Sequence, residues 1–296
     1  MIHQSNGIVK KMYESPPHVI ESLRTFLDED IRSGDITTQS LISSSEEGIG
    51  KIRAKGKAVV AGLKEIRDLA RLSDLKYESM VQEGVWVEFG ESVIALNGKA
   101  ETLLTIERLA LNIIMRMSGI ATKTRKIVDR IRKVNQDVIL AATRKTTPGF
   151  RYFEKRAVQV GGGDSHRYAL DDMVLIKNNH LVSVDSIEQA ITTSKKAVSF
   201  SKKISCEVRS LKAALEAAKA GADIILIDNQ TPSSVMEICQ SLEEAGLRNQ
   251  VILEVSGGIT EHSASEYAEC DVDVLSSGAL THSYKSADFS MGLKMS

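Results

Sequence analysis

The sequence predicts an α/β protein in two unlike parts, and three observations carry that expectation. From Val138 to Leu275 there are six short apolar runs of strand length, several of them separated by helical segments, and repeated strand–helix units of this kind build a parallel sheet. Upstream, from Gly48 to Leu96, side chains alternate in the manner of an antiparallel sheet. The apolar runs also end on charged, polar or glycine residues, as barrel strands do at the face that carries chemistry. Six or more units within about 150 residues favour a barrel, with an open doubly wound sheet as the alternative.

Taken in order, Val19 to Arg32 has helical periodicity, and Gly34-Asp35-Ile36-Thr37-Thr38 ends it with turn chemistry. The alternating region includes Lys51-Ile52-Arg53-Ala54 and Gly84-Val85-Trp86-Val87-Glu88-Phe89-Gly90, with one helix around Leu63 to Leu72. A long helical stretch, Thr102 to Val134, follows, in which Leu103, Leu109, Ile113, Met117 and Ile120 recur at helical spacing. A break is expected in it at Ser118-Gly119. The strand-like runs are Val138 to Ala142, Met173 to Ile176, Ile204 to Val208, Ile224 to Ile227, Val251 to Val255 and Val272 to Leu275. Helices are expected at Ser186 to Ser194, Leu211 to Ala220, Ser233 to Ala245 and Ser263 to Glu269.

Composition narrows the function classes. The 296 residues, 42% hydrophobic, supply one large core or two smaller ones. With 38 basic and 39 acidic side chains the net charge is -1, so no global field holds nucleic acid or an anionic membrane, and anion binding must be local. Met1 to Pro17 lacks the apolar core of a signal peptide and no later run is long enough to span a bilayer, so a soluble cytoplasmic protein is expected. Cys206, Cys239 and Cys270 have neither disulfide-framework nor zinc spacing and read as small core residues.

Between Thr143 and His180 lie Arg144, Lys145, Arg151, Lys155, Arg156, His166, Arg167 and Lys177, with Gly161-Gly162-Gly163 among them. Arg144 and Lys145 close one strand-like run and Lys177 the next; Glu207 and Asp228 stand at the ends of the third and fourth. Ser256-Gly257-Gly258 and Ser277-Gly278-Ala279 close the last two, where barrels often bind phosphate through backbone N–H groups that glycine exposes. A tight strand-to-helix turn is the alternative reading of those glycines, and phosphate binding is favoured. No Walker loop or dinucleotide fingerprint is present. Glu207 and Asp228 are suited to a divalent cation, sugar hydroxyls or a developing positive charge, or to pairing with neighbouring cations. His166 beside Arg167 is a candidate carboxylate donor, whereas His3 and His18 read as ordinary surface histidines.

These residues resemble a known family. Thr143-Arg144-Lys145-Thr146-Thr147-Pro148-Gly149, Gly161-Gly162-Gly163 with His166-Arg167, and Leu175-Ile176-Lys177-Asn178-Asn179-His180 are similar to the core of quinolinate phosphoribosyltransferases. So are Gly34-Asp35-Ile36-Thr37-Thr38, Glu107-Arg108-Leu109-Ala110-Leu111-Asn112, Ser118-Gly119-Ile120-Ala121-Thr122, Ser256-Gly257-Gly258-Ile259 and Gly278-Ala279-Leu280-Thr281-His282-Ser283. The resemblance runs from about Val19 to Leu293 in unbroken motif order.

The resemblance implies a type II phosphoribosyltransferase-like architecture: an N-terminal α/β sandwich with entry helices (1–118), an incomplete, seven-stranded α/β barrel (119–283) and a segment returning to the N-terminal domain (284–296). It implies transfer of phosphoribose from phosphoribosyl pyrophosphate to quinolinate with decarboxylation, as in de novo NAD biosynthesis. Homodimers with shared active sites are implied, with a hexamer also open. Arg108 would enter the partner's site and join Arg144, His166 and Arg167 around the two carboxylates of quinolinate. Lys145 and Lys177 would contact substrate carboxylate or the phosphoribosyl donor. Glu207 and Asp228 would act near the ribose and hold Mg²⁺ directly or through water or substrate. Ser256, Gly257, Gly258, Gly278, Ala279 and His282 would form the phosphate end.

Three departures stand out. Ser165 replaces the common Asn before His-Arg, Asn178 an acid after the strand-end lysine, and Arg209 an acid two residues after Glu207. An inward-facing Arg209 would allow a different substrate, and the rival within the fold is a molybdenum-operon-type relative. From another class, a Schiff-base barrel aldolase would use Lys145 or Lys177 as nucleophile. A catalytically dead interaction protein is disfavoured by the full set of charged groups. Arg151, Lys155 and Arg156 read as helix-surface charges.

Overall fold

The computed structural model describes residues 14–296, which fall into two units. One holds the described residues up to Lys123 together with Pro148–Gly161 and Tyr284–Ser296; the other holds Thr124–Thr147 and Gly162–Ser283. The reading of His3, and of Met1 to Pro17 as far as residue 13, lies outside the described residues.

In the first unit, helix α1 (Pro17–Ile31) begins on a proline, whose missing N–H is not needed in a first turn, and buries Val19, Ile20 and Leu23. The turn chemistry after it extends into a short helix α2 (Ile36–Leu41). Asp35 caps it, accepting from the Thr38 backbone N–H at 3.0 Å and the Thr38 hydroxyl at 2.5 Å, and these bonds hold its carboxyl below the usual range. The chain continues through β1 (Glu47–Ala54), β2 (Ala58–Val59), α3 (Leu63–Leu72), β3 (Lys76–Ser79), β4 (Trp86–Val87) and β5 (Ser92–Lys99). An antiparallel sheet forms in the order Phe289–Met295, β1, β5, β3, while β2 pairs with β4. On β1 the buried face is Gly48, Gly50, Ile52 and Ala54. A side chain at Gly50 would meet Met291 and Leu103, so the bare backbone lets Leu103 pack on the sheet.

Leu103 belongs to α4 (Ala100–Arg132), one continuous helix. The break expected at Ser118-Gly119 is absent. A Cβ on Gly119 would lie 2.4 Å from the Lys285 carbonyl oxygen, so this glycine permits close approach of another segment and does not interrupt the helix. Ser118 Oγ, fully buried, accepts from the Ala61 N–H at 3.0 Å, and Thr122 Oγ1 accepts from that of Val59 at 2.8 Å. Helix α5 (Arg151–Val160) also belongs to this unit and corrects the reading of its charges as superficial. Phe153, Glu154, Lys155, Ala157 and Val158 are all buried, so the helix is covered on more than one face. Lys155 is fully buried, Arg156 pairs with Glu83 at 2.6 Å, and Arg151 is half-buried.

In the second unit the six apolar runs become β6 (Ile139–Ala141), β7 (Val174–Ile176), β8 (Ile204–Val208), β9 (Ile224–Asp228), β10 (Ile252–Ser256) and β11 (Val274–Ser276). They form one parallel sheet in the order β6-β11-β10-β9-β8-β7. The seventh place is a single parallel bridge of Asp164 to Ala141 beside β6: Asp164 N–H donates to Leu140 and Ala142 N–H to Asp164. The paired strands do not close, as an incomplete barrel requires. Helices α6 (Asn178–Leu181), α7 (Ile187–Ala197), α8 (Leu211–Lys219), α9 (Pro232–Glu244), α10 (Ala264–Ala268) and α11 (Ala279–His282) alternate with the strands. Three start on a hydroxyl N-cap, Ser186, Ser210 and Thr231, each accepting from the N–H three residues on. Ile225, Ile227, Leu253, Val255 and Leu275 are fully buried, each contributing about 1.5–3 kcal/mol relative to exposure.

Candidate active site

Side chains alternate faces along a strand, and that parity builds the site. On β9 and β10 the odd positions fill the core, while Leu226, Asp228, Glu254 and Ser256 open onto a cavity of about 290 Å³. The same cavity is lined by Ala142, Thr143, Arg144 and Lys145 after β6, His166 and Arg167 after the Asp164 bridge, Leu175 and Lys177 at β7, Glu207 on β8 and Ser276 on β11. In register Asp228, Ser256, Ser276 and Ala141 lie side by side, so the lining sits at the C-terminal ends of the strands.

The cationic part is only partly compensated. Arg144 Nε is buried without a hydrogen-bond partner among the described residues. Burial, and then the neighbouring Arg144 charge, push the Arg167 guanidinium pKa down, so this pocket favours an anion that pairs with both. His166 has a left-handed backbone, φ 52°, pinned by its N–H donating to Asp164 Oδ1 at 2.6 Å. Its Nδ1 accepts from the Arg167 N–H at 2.7 Å and its Nε2 meets Glu254 Oε2 at 3.2 Å.

On the acidic part, Glu207 and Asp228 keep side chains only 12% and 14% exposed. Arg209, two positions beyond Glu207 and itself largely exposed, reaches back over both, with Nη2 2.8 Å from Asp228 Oδ2 and 3.7 Å from Glu207 Oε1. It is therefore a counter-charge to the acids. Neither Arg209 nor Ser165 nor Asn178 lines the cavity.

Gly257, Gly258, Gly278, Ala279 and His282 lie just beyond the strands and outside the lining itself. Gly257 has φ 92°, and a Cβ there would fall 2.3 Å from Asn229 Oδ1, so only glycine makes this turn. Gly278 lies under Lys145, whose Cδ a Cβ would meet at 2.7 Å, and next to His282. Thr281 Oγ1 donates to the Lys145 carbonyl at 2.7 Å and ties this turn to the strand-end lysine. Arg108 is exposed on α4 in the first unit and is not part of the cavity. Sequence reading passed over Glu254. Its signal was an acid inside the apolar run Val251 to Val255, in phase with Ser256.

Cations, acids and glycine turns at the C-terminal ends of parallel strands define an α/β-barrel enzyme site for anionic substrates. Residues 35–118 match the N-terminal domain of quinolinate phosphoribosyl transferase and residues 120–292 match its C-terminal domain. A probable nicotinate-nucleotide pyrophosphorylase [carboxylating] of Archaeoglobus fulgidus is 46% identical over 258 residues, 87% of this chain and 97% of that protein. The human nicotinate-nucleotide pyrophosphorylase [carboxylating] is 34% identical over 279 residues, 94% of this chain and 93% of its own. The crystal structure of NadC from Streptococcus pyogenes superposes with a TM-score of 0.89 at 35% identity, covering 95% of this chain and 98% of that one. The chain belongs to the quinolinate phosphoribosyl transferase family. None of its described helices is long and apolar enough to cross a membrane.

Proposed function

We propose that the protein is a nicotinate-nucleotide pyrophosphorylase [carboxylating], which joins quinolinate to the phosphoribosyl group of phosphoribosyl pyrophosphate and releases pyrophosphate and CO₂. The observation that carries this reading is the meeting of the Arg144 and Arg167 cations with the Glu207 and Asp228 acids in one cavity. Quinolinate is a dianion and its co-substrate is more highly charged, so both call for fixed cations, and arginine suits bidentate carboxylate contact. Arg144 and Arg167 take the pyridine carboxylates. Lys145 and Lys177 face the diphosphate as it leaves, and the turns at Ser256 to Gly258 and Gly278 to His282 take the 5'-phosphate.

The pyridine nitrogen displaces pyrophosphate at the ribose anomeric carbon through an oxocarbenium-like state, which the Glu207 and Asp228 carboxylates stabilise. Once the nitrogen is cationic, the ring accepts the electron pair left as the adjacent carboxylate departs as CO₂, and a proton takes its place. No covalent nucleophile is needed, and the curated relatives favour this chemistry over a Schiff-base aldolase or a molybdenum-operon-type enzyme.

Mg²⁺ fits the donor chemistry in part. Glu207 and Asp228 are hard oxygen donors, and Mg²⁺ is commonly held by one or two carboxylates completed by substrate phosphates. Among the described residues no cluster of three acidic, histidine or cysteine side chains completes such a site without substrate, and Arg209 already engages both acids. When bound, Mg²⁺ supplies charge neutralisation to the diphosphate.

We further propose a cytoplasmic homodimer in which Arg108 of one subunit completes the quinolinate pocket of the other, with a hexamer as a further assembly. Purified protein supplied with quinolinate, phosphoribosyl pyrophosphate and Mg²⁺ is expected to yield nicotinate mononucleotide; folded protein giving no product overturns the reading. Arg108→Ala and Arg144→Ala are each expected to be inactive and to regain activity when mixed. No recovery after verified subunit exchange overturns the shared site.

A further inference from the structure

We infer that Glu254 is a positioning residue for quinolinate, acting through His166 on Arg167; the inference rests on the reading of this cavity as a quinolinate site. Glu254 is 3% exposed, lies two residues below Ser256 on β10 and opens onto the cavity floor. Its Oε2 meets His166 Nε2 at 3.2 Å.

The hydrogen bonds define the imidazole's form. Nδ1 accepts from the Arg167 backbone N–H, so the ring proton resides on Nε2 and is donated to Glu254. Both ring nitrogens thus have partners within the protein. Through them the ring fastens a loop. The left-handed backbone at His166 is costly for a residue with a Cβ, and it is held between the Asp164 bridge on one side and Glu254 on the other. The next residue is Arg167, whose Nη1 donates to the Met173 carbonyl at 3.3 Å. Its guanidinium must stay beside Arg144 despite the repulsion of two like charges.

Electrostatics makes the assignment testable. A carboxylate in the floor of a dianion site opposes binding by its charge, so its benefit must come through geometry. Removing only its charge and removing its acceptor therefore have different consequences. Glu254→Gln keeps an acceptor oxygen for Nε2–H, whereas Glu254→Met keeps the bulk and removes the acceptor.

In steady-state kinetics on the full-length protein, Glu254→Met is expected to raise the quinolinate KM by about tenfold or more. Its KM for phosphoribosyl pyrophosphate and its kcat should each stay within about threefold, and Glu254→Gln should stay within about threefold of wild type throughout. Several results overturn the role: Glu254→Met lowering the quinolinate KM, as a purely electrostatic acid would; Glu254→Met lowering kcat with both KM values unchanged, as a scaffold defect would; or no change at all. Should Glu254→Met not fold, ¹⁵N NMR of the imidazole in the wild-type protein decides. The Nε2–H tautomer supports the pairing, and an Nδ1–H tautomer or an imidazolium at neutral pH overturns it. Wild-type protein that does not bind quinolinate sinks the functional reading itself, a result separate from these.

Discussion

The cations between Thr143 and His180 go to two destinations with opposite electrostatics. Arg144, Lys145, His166, Arg167 and Lys177 line the barrel cavity, where Arg144 Nε has no partner among the described residues and burial, then the Arg144 charge, push the Arg167 pKa down. Arg156, twelve residues after Arg144 in sequence, lies in the first unit and pairs with Glu83, while Arg116 there pairs with Glu154. The first region leaves Arg144 Nε for a ligand; in the other, the Arg116 and Arg156 guanidinium groups meet internal acids. The difference teaches that a run of cations names a site only once strand parity and unit membership have sorted it.

The largest effect should come from the partly compensated region. Arg144→Ala is expected to lower kcat/KM for quinolinate by about two to three orders of magnitude, the scale of one lost charge-assisted bidentate contact in a desolvated site. The melting temperature should hold or rise, because a like-charge contact with Arg167 disappears. A lower melting temperature with unchanged kinetics would erase the contrast.

The first unit offers the converse case in Glu65, fully buried, with neither carboxylate oxygen hydrogen-bonded among the described residues. Burial, and next the Glu83 charge, push its carboxyl up from 4.5 to about 7. Between those values the folded chain keeps a proton that the unfolded chain has released, so stability falls as pH rises through that window, by an amount on the order of 3 kcal/mol. Above about 7 the loss levels off. Glu65→Gln is expected to flatten the fall in melting temperature between pH 5 and pH 8, which calorimetry at the two pH values measures directly; an unchanged fall assigns it to other groups.

Breaking the paired region should cost stability and spare binding. Arg156→Met leaves Glu83 largely buried without its partner and is expected to destabilise by about 1–3 kcal/mol, between the values for exposed and buried pairs. Denaturant titration measures this, and the quinolinate KM should not move. Smallest is Arg209→Ala. Release of Glu207 and Asp228 from an exposed partner is expected to lower the Mg²⁺ concentration for half-maximal activity by about two- to fivefold. A higher requirement would make Arg209 a helper of the donor site and not a competitor for it.

Much of this was legible in the residues themselves. Apolar runs of strand length announced all six barrel strands, and their polar ends marked the face that carries the cavity. Less visible were features decided by contacts between distant segments. Gly119 looked like a helix breaker because the backbone of Lys285 and Ser286, which needs the space, is far away in sequence. Lys155 looked exposed because a charged residue on a short helix usually is, and the second covered face of α5 is not periodic. Glu254 was hidden by its apolar neighbours, although its even spacing from Ser256 placed it on the inner face. The seventh strand has one paired residue, Asp164, too little to leave a pattern.

The strand Phe289–Met295 pairs along the whole of β1, setting Ile52 opposite Met291. During translation β1 emerges early and that partner only after every strand of the barrel has been made. The barrel strands, joined by nearer neighbours in sequence, can collapse while β1 still shows an open edge, and such an edge invites pairing with other chains. Contacts of this separation slow folding. The ribosome's order of delivery thus makes the first residues of the sheet among the last to be completed, and aggregation of nascent chains is the hazard this topology carries.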